Sequence, residues 1–251
     1  MILSRVFTSF RSMLNETIRE LFSRGRTVFD PTIQGKYVGD RKEEFEQKEI
    51  IGYSFTVVIT KDLNQDLKDM LSFAKKVFRK DWLTPEVGEK WFEEMLQPIN
   101  PDTWWKGTEL EEYWKEFGIE KDGRFAYTYG ERLSAAIPQL IHCLKRNKYM
   151  RGAVATVYES SRDLTNMGKR RVPCTMYAQV LIRPEAGEDV LTGIVTFRSQ
   201  DLATFFPLDV YKSARLFQYI AEQVGARFKY YMHFVGSLHC YKRDIPRNRQ
   251  W

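Results

Sequence analysis

The sequence predicts an α+β protein organised as a single domain, residues 1–251, and three observations predict it. Apolar residues recur at helical spacing in some segments and alternate with period two in others, and the two kinds are intermixed. The period-two runs dominate the second half. No repeat, low-complexity linker or compositional break divides the chain, and its length supplies enough apolar material for one buried core.

Taken in order, residues 8–24 put Phe10, Leu14, Ile18 and Leu21 on one helical face ahead of Gly25. The polar stretch 26–48, with Gly35 and Gly39, reads as loop. IIGYSFTVVI (50–59) is β-branched and aromatic, hence a strand. Residues 62–78 form a helix capped by Asp62, with Leu63, Leu67, Met70, Leu71 and Phe78 on one side. Between 80 and 118 lie five of the six tryptophans, in a helix–loop–helix arrangement broken at Pro98 and Pro101. Residues 134–146 are helical, 152–159 a strand, and 173–183 and 189–197 a hairpin across 184–187. The long segment 207–225 carries Val210, Ala214, Phe217, Ala221 and Val224 on one face, with Gly225 as its C-cap. Residues 227–241 close the chain as a strand.

Composition narrows the class. Hydrophobic and charged fractions of 43% and 29% belong to a folded protein. No apolar run approaches the roughly 18 residues needed to span a bilayer. The opening MILSRVFTSFRSMLNETIREL lacks a continuous apolar core and a cleavage site, so it reads as a first helix and not a signal peptide. Three cysteines without CxxC spacing argue against a disulfide framework or structural zinc and for a reducing, cytoplasmic setting. Three histidines argue against a multi-histidine metal site. The net charge of +6 is scattered and interleaved with acids, which suits a small phosphorylated ligand and predicts neither a membrane nor a direct nucleic-acid partner. GxGxxG, P-loop, HExxH and GxSxG signatures are absent.

Chemistry concentrates around RVPCTMYAQVLIR (171–183) and FRSQD (197–201). Cys174 follows a proline at a strand start and is either a small buried apolar residue or a nucleophile. Its predicted neighbour across the hairpin is Arg198, and a guanidinium beside a thiol favours the attacking thiolate. Ser199 or Asp201 could instead cap a helix. His239 and Tyr241 share a strand face. Asp209, at a helix start, has the helix dipole as its ordinary explanation.

In order along the chain, YTYGERL (127–133), MRGAV (150–154), VPCTMYAQV (172–180), FRSQDLATFFPLDVYKSARL (197–216) and GSLHCY (236–241) resemble the thymidylate synthase and pyrimidine hydroxymethylase superfamily. The resemblance is close over 125–241 and loose before 120. It implies a mixed sheet with helices packed on it and a homodimer formed through the sheet face. By that resemblance Cys174 adds to C6 of a pyrimidine nucleotide, and 5,10-methylenetetrahydrofolate is the co-substrate, with no metal. Arg198 and Ser199 would hold the 5′-phosphate, Arg151 would reach the partner's phosphate, and His239 and Tyr241 would bind the 3′-hydroxyl. Tyr129 would stand near the cysteine, Trp114 and Asp201 would contact folate, and Glu93 or Glu94 would organise proton transfer at the base. Departures from the family pattern are Met150, Thr175, Phe197 and Phe205, and the first loop offers only Arg26 and Lys36 for phosphate.

By the same resemblance Asp209, eight residues beyond Asp201, stands at the base-reading position, where synthases carry asparagine and dCMP hydroxymethylases aspartate. An amide can donate to O4 of uracil, whereas a carboxylate can only accept, as from the N4 amino group of cytosine. The expected reaction is therefore hydroxymethylation of dCMP. Methylation of dUMP or dCMP, hydroxymethylation of CMP, and a nucleotide-binding homologue without catalysis are the alternatives. The short segment after Tyr241, ending in Trp251, predicts a poorly lidded, wetter site that favours water addition.

Overall fold

The structure is a computed structural model and describes residues 5–245. Seven strands form one mixed sheet: β1 (Arg5–Phe7), β2 (Arg26–Val28), β3 (Gln47–Val58), β4 (Val154–Thr156), β5 (Thr175–Glu185), β6 (Glu188–Asp201) and β7 (Arg227–Tyr241). Their spatial order is β1-β3-β7-β6-β5-β4, with β2 also on β3. The β1–β3 and β6–β7 pairs are parallel and the others antiparallel. Seven helices of five or more residues accompany the sheet: α1 (Phe10–Arg24), α2 (Leu63–Phe78), α3 (Pro85–Met95), α4 (Leu110–Phe117), α5 (Tyr129–Leu133), α6 (Ala136–Arg146) and α7 (Phe206–Val224).

Helix starts follow local hydrogen-bond chemistry. Ser9, Asp62 and Thr84 accept from the backbone N–H groups of Ser12, Gln65 and Val87, satisfying donors that a first turn leaves free. Thr128 and Glu131 form a reciprocal capping box, which fixes where Tyr129 enters α5. Gly225 ends α7 at φ +64°, a left-handed conformation that costs glycine little. Helix α7, with fourteen buried residues, lies against β6 and β7. Its Phe206 and Phe217 join Phe10, Phe55, Phe197 and Tyr231 in a completely or almost completely buried aromatic core.

Four expectations need correction. The stretch 26–48 is not simply loop. It holds β2, a small hairpin (Thr32–Ile33 with Lys36–Tyr37) and a helical turn at Lys42–Phe45, because Ile33, Val38 and Phe45 find a satellite cluster with Phe117. β3 begins at Gln47, since its polar start pairs with the end of β7. The strand expected over 152–159 is confined to Val154–Thr156. The hairpin runs through Pro184 and Glu185 and turns at Ala186–Gly187, both at positive φ, as a two-residue turn between twisted strands requires. Among the described residues no helix is long and apolar enough to cross a membrane.

Candidate active site

The strand register builds the site. Arg198 N donates to Cys174 O at 2.8 Å, placing the cysteine loop beside the end of β6. A register shift between Thr175 and Tyr177, the mark of a bulge, interrupts the ladder immediately after Cys174. Parallel pairing sets Ser199 opposite Ser237 and Asp201 opposite His239, and antiparallel pairing sets His239 opposite Glu49. A cleft of about 620 Å³ covers this end of the sheet.

Nine of the twelve site residues expected from sequence line that cleft: Trp114, Tyr129, Cys174, Arg198, Ser199, Asp201, Asp209, His239 and Tyr241. Cys174 is half-buried and open to it. The Arg198 guanidinium donates through Nε to Pro173 O (2.9 Å) and through Nη2 to Val172 O (3.1 Å). Nη2 also lies 3.7 Å from Cys174 Sγ, and the thiol's charge is the main cause that raises the pKa of Arg198. Nη1 has no protein partner among the described residues, so a donor remains for an anion in the cleft. Ser199 Oγ is 3.4 Å from His239 Nδ1. Burial, then Arg198, pushes His239 down to about 4, so the ring is neutral at pH 7 and offers one donor and one acceptor. Thr175 donates to Tyr129 Oη at 3.1 Å, and burial holds the phenol well above its ordinary range. Asp201 accepts from Ala203 N at 3.1 Å; burial, then Asp244, pushes its carboxyl up to about 6.

Three expected residues lie elsewhere. Glu93 faces solvent on α3. Glu94 is buried behind the tryptophans, accepting from Thr103 N (2.7 Å), Thr103 Oγ1 (2.5 Å) and Trp104 N (3.1 Å). The helical turn that the sequence could not phase aims Trp91, not a glutamate, at the cleft. Arg151 is exposed before β4 and outside the cleft of its own chain. Arg26 and Lys36 do not line it either, and Trp251 lies outside the described residues.

Several cleft residues carried no distinctive sequence signal. Arg170, exposed, adds a second cation to the cleft beside Arg198. Arg171 lies 4.4 Å over Trp114 and 4.5 Å over Tyr127. Beside it Phe205 packs on Trp114 and Tyr113, at ring separations of 5.3 and 5.7 Å. Trp114 Nε1 and Arg171 Nε are buried without a hydrogen-bond partner among the described residues. An aromatic wall along the cleft suits the face of a flat heteroaromatic ring, so the residues fit a folate. No group of three or more His, Cys, Asp or Glu side chains among the described residues could hold a metal ion.

Residues 57–250 match the thymidylate synthase family profile, and the chain belongs to that family. It is 31% identical to a Methanococcoides burtonii protein named "Putative thymidylate synthase" over 153 residues, 58% of this chain and 67% of that protein. A protein of the same name from Methanosarcina mazei is 33% identical over the same shares. Among solved structures, the thymidylate synthase of phage T4 superposes with TM-score 0.63 at 15% identity, covering 94% of this chain and 80% of that one. The thermostable thymidylate synthase A of Bacillus subtilis superposes with TM-score 0.58 at 19% identity, covering 93% and 80%. The reaction class is folate-dependent one-carbon transfer to C5 of a pyrimidine nucleotide.

Proposed function

We propose that the enzyme hydroxymethylates dCMP: dCMP, 5,10-methylenetetrahydrofolate and water give 5-hydroxymethyl-dCMP and tetrahydrofolate. The observation that carries this reading is Asp209, a buried carboxylate lining the cleft where an amide would be needed to donate to uracil O4. A buried site with one donor–acceptor pattern rejects the other base because its polar groups go unpaired.

Cys174 adds as thiolate to C6, with Arg198 as its counter-charge, and C5 gains the electron pair that attacks. Arg198 Nη1, Ser199 and Arg170 hold the 5′-phosphate, while His239 and Tyr241 meet the 3′-hydroxyl. Asp209 accepts from the N4 amino group and from N3–H as that nitrogen gains a proton. Tyr129, beside Thr175, contacts the base near C5. Trp114, Tyr113 and Phe205 form the wall for the folate ring, and Asp201 a polar contact to it. The folate supplies a one-carbon unit at the oxidation level of formaldehyde. Glu49, Gln47 and Ser237 in the cleft are groups that hold water, which adds to the exocyclic methylene carbon to give the hydroxymethyl group. A homodimer through the sheet face fits the exposed Ile51 and Val154, 73% and 42% accessible, and gives Arg151 a partner's phosphate.

The test is a mass-resolved screen of dCMP, dUMP and CMP with methylenetetrahydrofolate, beside tritium release from C5-labelled dCMP. A hydroxymethyl product about 30 Da heavier than dCMP is expected, by simple addition of CH2O to the C–H bond. Cys174→Ala should release no tritium. A gain of about 14 Da, the mass of CH2, would replace the reading with methylation. Unchanged masses for all three nucleotides would leave a binding protein.

A further inference from the structure

The cleft's base-reading carboxylate is not held by its helix alone. Lys212, one turn further along α7, donates through Nζ to Asp209 Oδ1 at 2.5 Å, and the two side chains are 2% and 4% exposed. The ammonium also lies 3.4 Å from the Trp91 ring centre and 3.8 Å from that of Tyr129. Those two rings and Asp209 line the cleft, and Lys212 does not. It stands directly behind the surface that a base would touch.

The second carboxylate oxygen ends a buried relay. Gln200 Nε2 donates to Asp209 Oδ2 at 2.9 Å, and Gln200 Oε1 is 2.6 Å from His233 Nε2. His233 Nδ1 is 2.8 Å from Tyr231 Oη. His233 is stacked between Phe55 (4.8 Å) and Phe197 (5.0 Å). These partners fix every proton. With the Gln200 amide nitrogen turned to Asp209, its oxygen accepts, so His233 carries its proton on Nε2 and accepts at Nδ1 from the Tyr231 hydroxyl. All donors in the chain point toward Asp209. None of them asks the carboxyl group to donate.

We propose that Lys212 is a positioning residue for base selection: by donating to one lone pair of Asp209 Oδ1 while the Tyr231–His233–Gln200 relay donates to one of Oδ2, it holds the carboxyl group ionised, with only acceptor sites left for the base. A carboxyl group lacking that counter-charge among buried aromatics would take up a proton. As a neutral acid it would present one donor and one acceptor, the pattern of an amide, and would admit uracil. Discrimination therefore belongs to the Lys212–Asp209 pair. This inference rests on the cytosine reading above.

The experiment measures calorimetric binding of dCMP and dUMP, with kcat and KM from C5 tritium release, for wild type, Lys212→Met, Asp209→Asn and the double variant Asp209→Asn/Lys212→Met. Wild type should favour dCMP. Lys212→Met should lose about tenfold or more of the dCMP-to-dUMP preference, the equivalent of one unpaired buried polar group, mainly in KM. Once position 209 holds an amide, removing Lys212 should change nothing further, so Asp209→Asn and the double variant should share one preference. That comparison does not use the Lys212→Met single variant, so it stands even if that variant fails to fold. An unchanged preference in folded Lys212→Met, with both nucleotides weakened equally, would reduce Lys212 to a structural role and overturn the inference alone. A preference that differs between Asp209→Asn and the double variant would mean that Lys212 meets the base itself, and would also overturn it. Wild type favouring dUMP would remove the cytosine reading, and this inference with it.

Discussion

Replacing Asp209 by asparagine should damage stability as well as base choice, and the size of the loss follows from the surroundings of Lys212. The substitution leaves an ammonium 2% exposed with no carboxylate, flanked by Trp91 and Tyr129. Removing one member of a buried pair costs about 3–5 kcal/mol, because the survivor's desolvation is no longer compensated. Two cation–π contacts and an amide oxygen recover part of this, so a loss of about 3 kcal/mol at pH 7 is expected, near the low end of that range. For a chain of this size that corresponds to a fall in Tm of about 6–12 °C.

The sign of the pH dependence separates this cause from a packing defect. Burial, opposed by Asp209, pushes Lys212 down from its ordinary 10.5 to about 8. The folded state thus binds fewer protons than the unfolded chain between those values, and wild-type stability gains a rising contribution from Lys212 as pH climbs through that window. Without Asp209 the lysine is lowered further and the window opens earlier. The gap between variant and wild type should therefore narrow from pH 6.5 to pH 9. Guanidinium denaturation followed by tryptophan fluorescence at the two pH values reads both quantities. A loss under about 1 kcal/mol would refute a buried charged pair, since an exposed pair costs that little. A larger loss with no pH dependence would refute the charge argument.

Three further outcomes are expected. Glu93→Gln, on the solvent face of α3, should keep activity and lie within about 0.5 kcal/mol of wild type, whereas Glu94→Gln, which weakens an acceptor of three hydrogen bonds, should cost about 1–3 kcal/mol by chemical denaturation. Gly130→Ala would set a Cβ 1.9 Å from Gln97 O and 2.7 Å from Glu94 O, so α5 must shift; Tyr129 moves with it, and kcat should fall together with Tm. Asp201, pushed up to about 6 by burial and by Asp244, contributes stability that is complete below its ordinary 3.8 and fades as pH rises through 6. Asp201→Asn should remove that slope, gaining Tm relative to wild type at pH 7 compared with pH 4, and should raise the folate KM.

Much of the cleft's lining was legible because its residues sit in short contiguous motifs whose spacing survives folding. Cys174 next to Pro173, the Arg198–Asp201 run and the His239/Tyr241 pair each lie at a strand end, and strand ends are where this sheet opens its cleft. The Trp-rich segment was legible only as a region. Deciding whether Trp91, Glu93 or Glu94 faces the cleft requires the rotation of α3, which is set by packing on α7 and α5 and not by its own pattern. The stretch 26–48 was missed because its apolar residues are sparse and pack on Phe117, far along the chain.

By itself the sequence determined where the longer helices and strands fall and which five motifs occur in order, since periodicity, caps and turn residues act over a few positions. It also placed an acid at residue 209 and a lysine three positions later, a spacing that on an isolated helix means a solvated surface pair. Only the tertiary structure turned that pair inward. Trp91 from α3 and Tyr129 from α5 close over Lys212 and Gln200 arrives from β6, so an i,i+3 ion pair becomes a buried one, the pair on which the proposed base selection rests. Burial depends on elements more than seventy residues apart, and no local spacing encodes it.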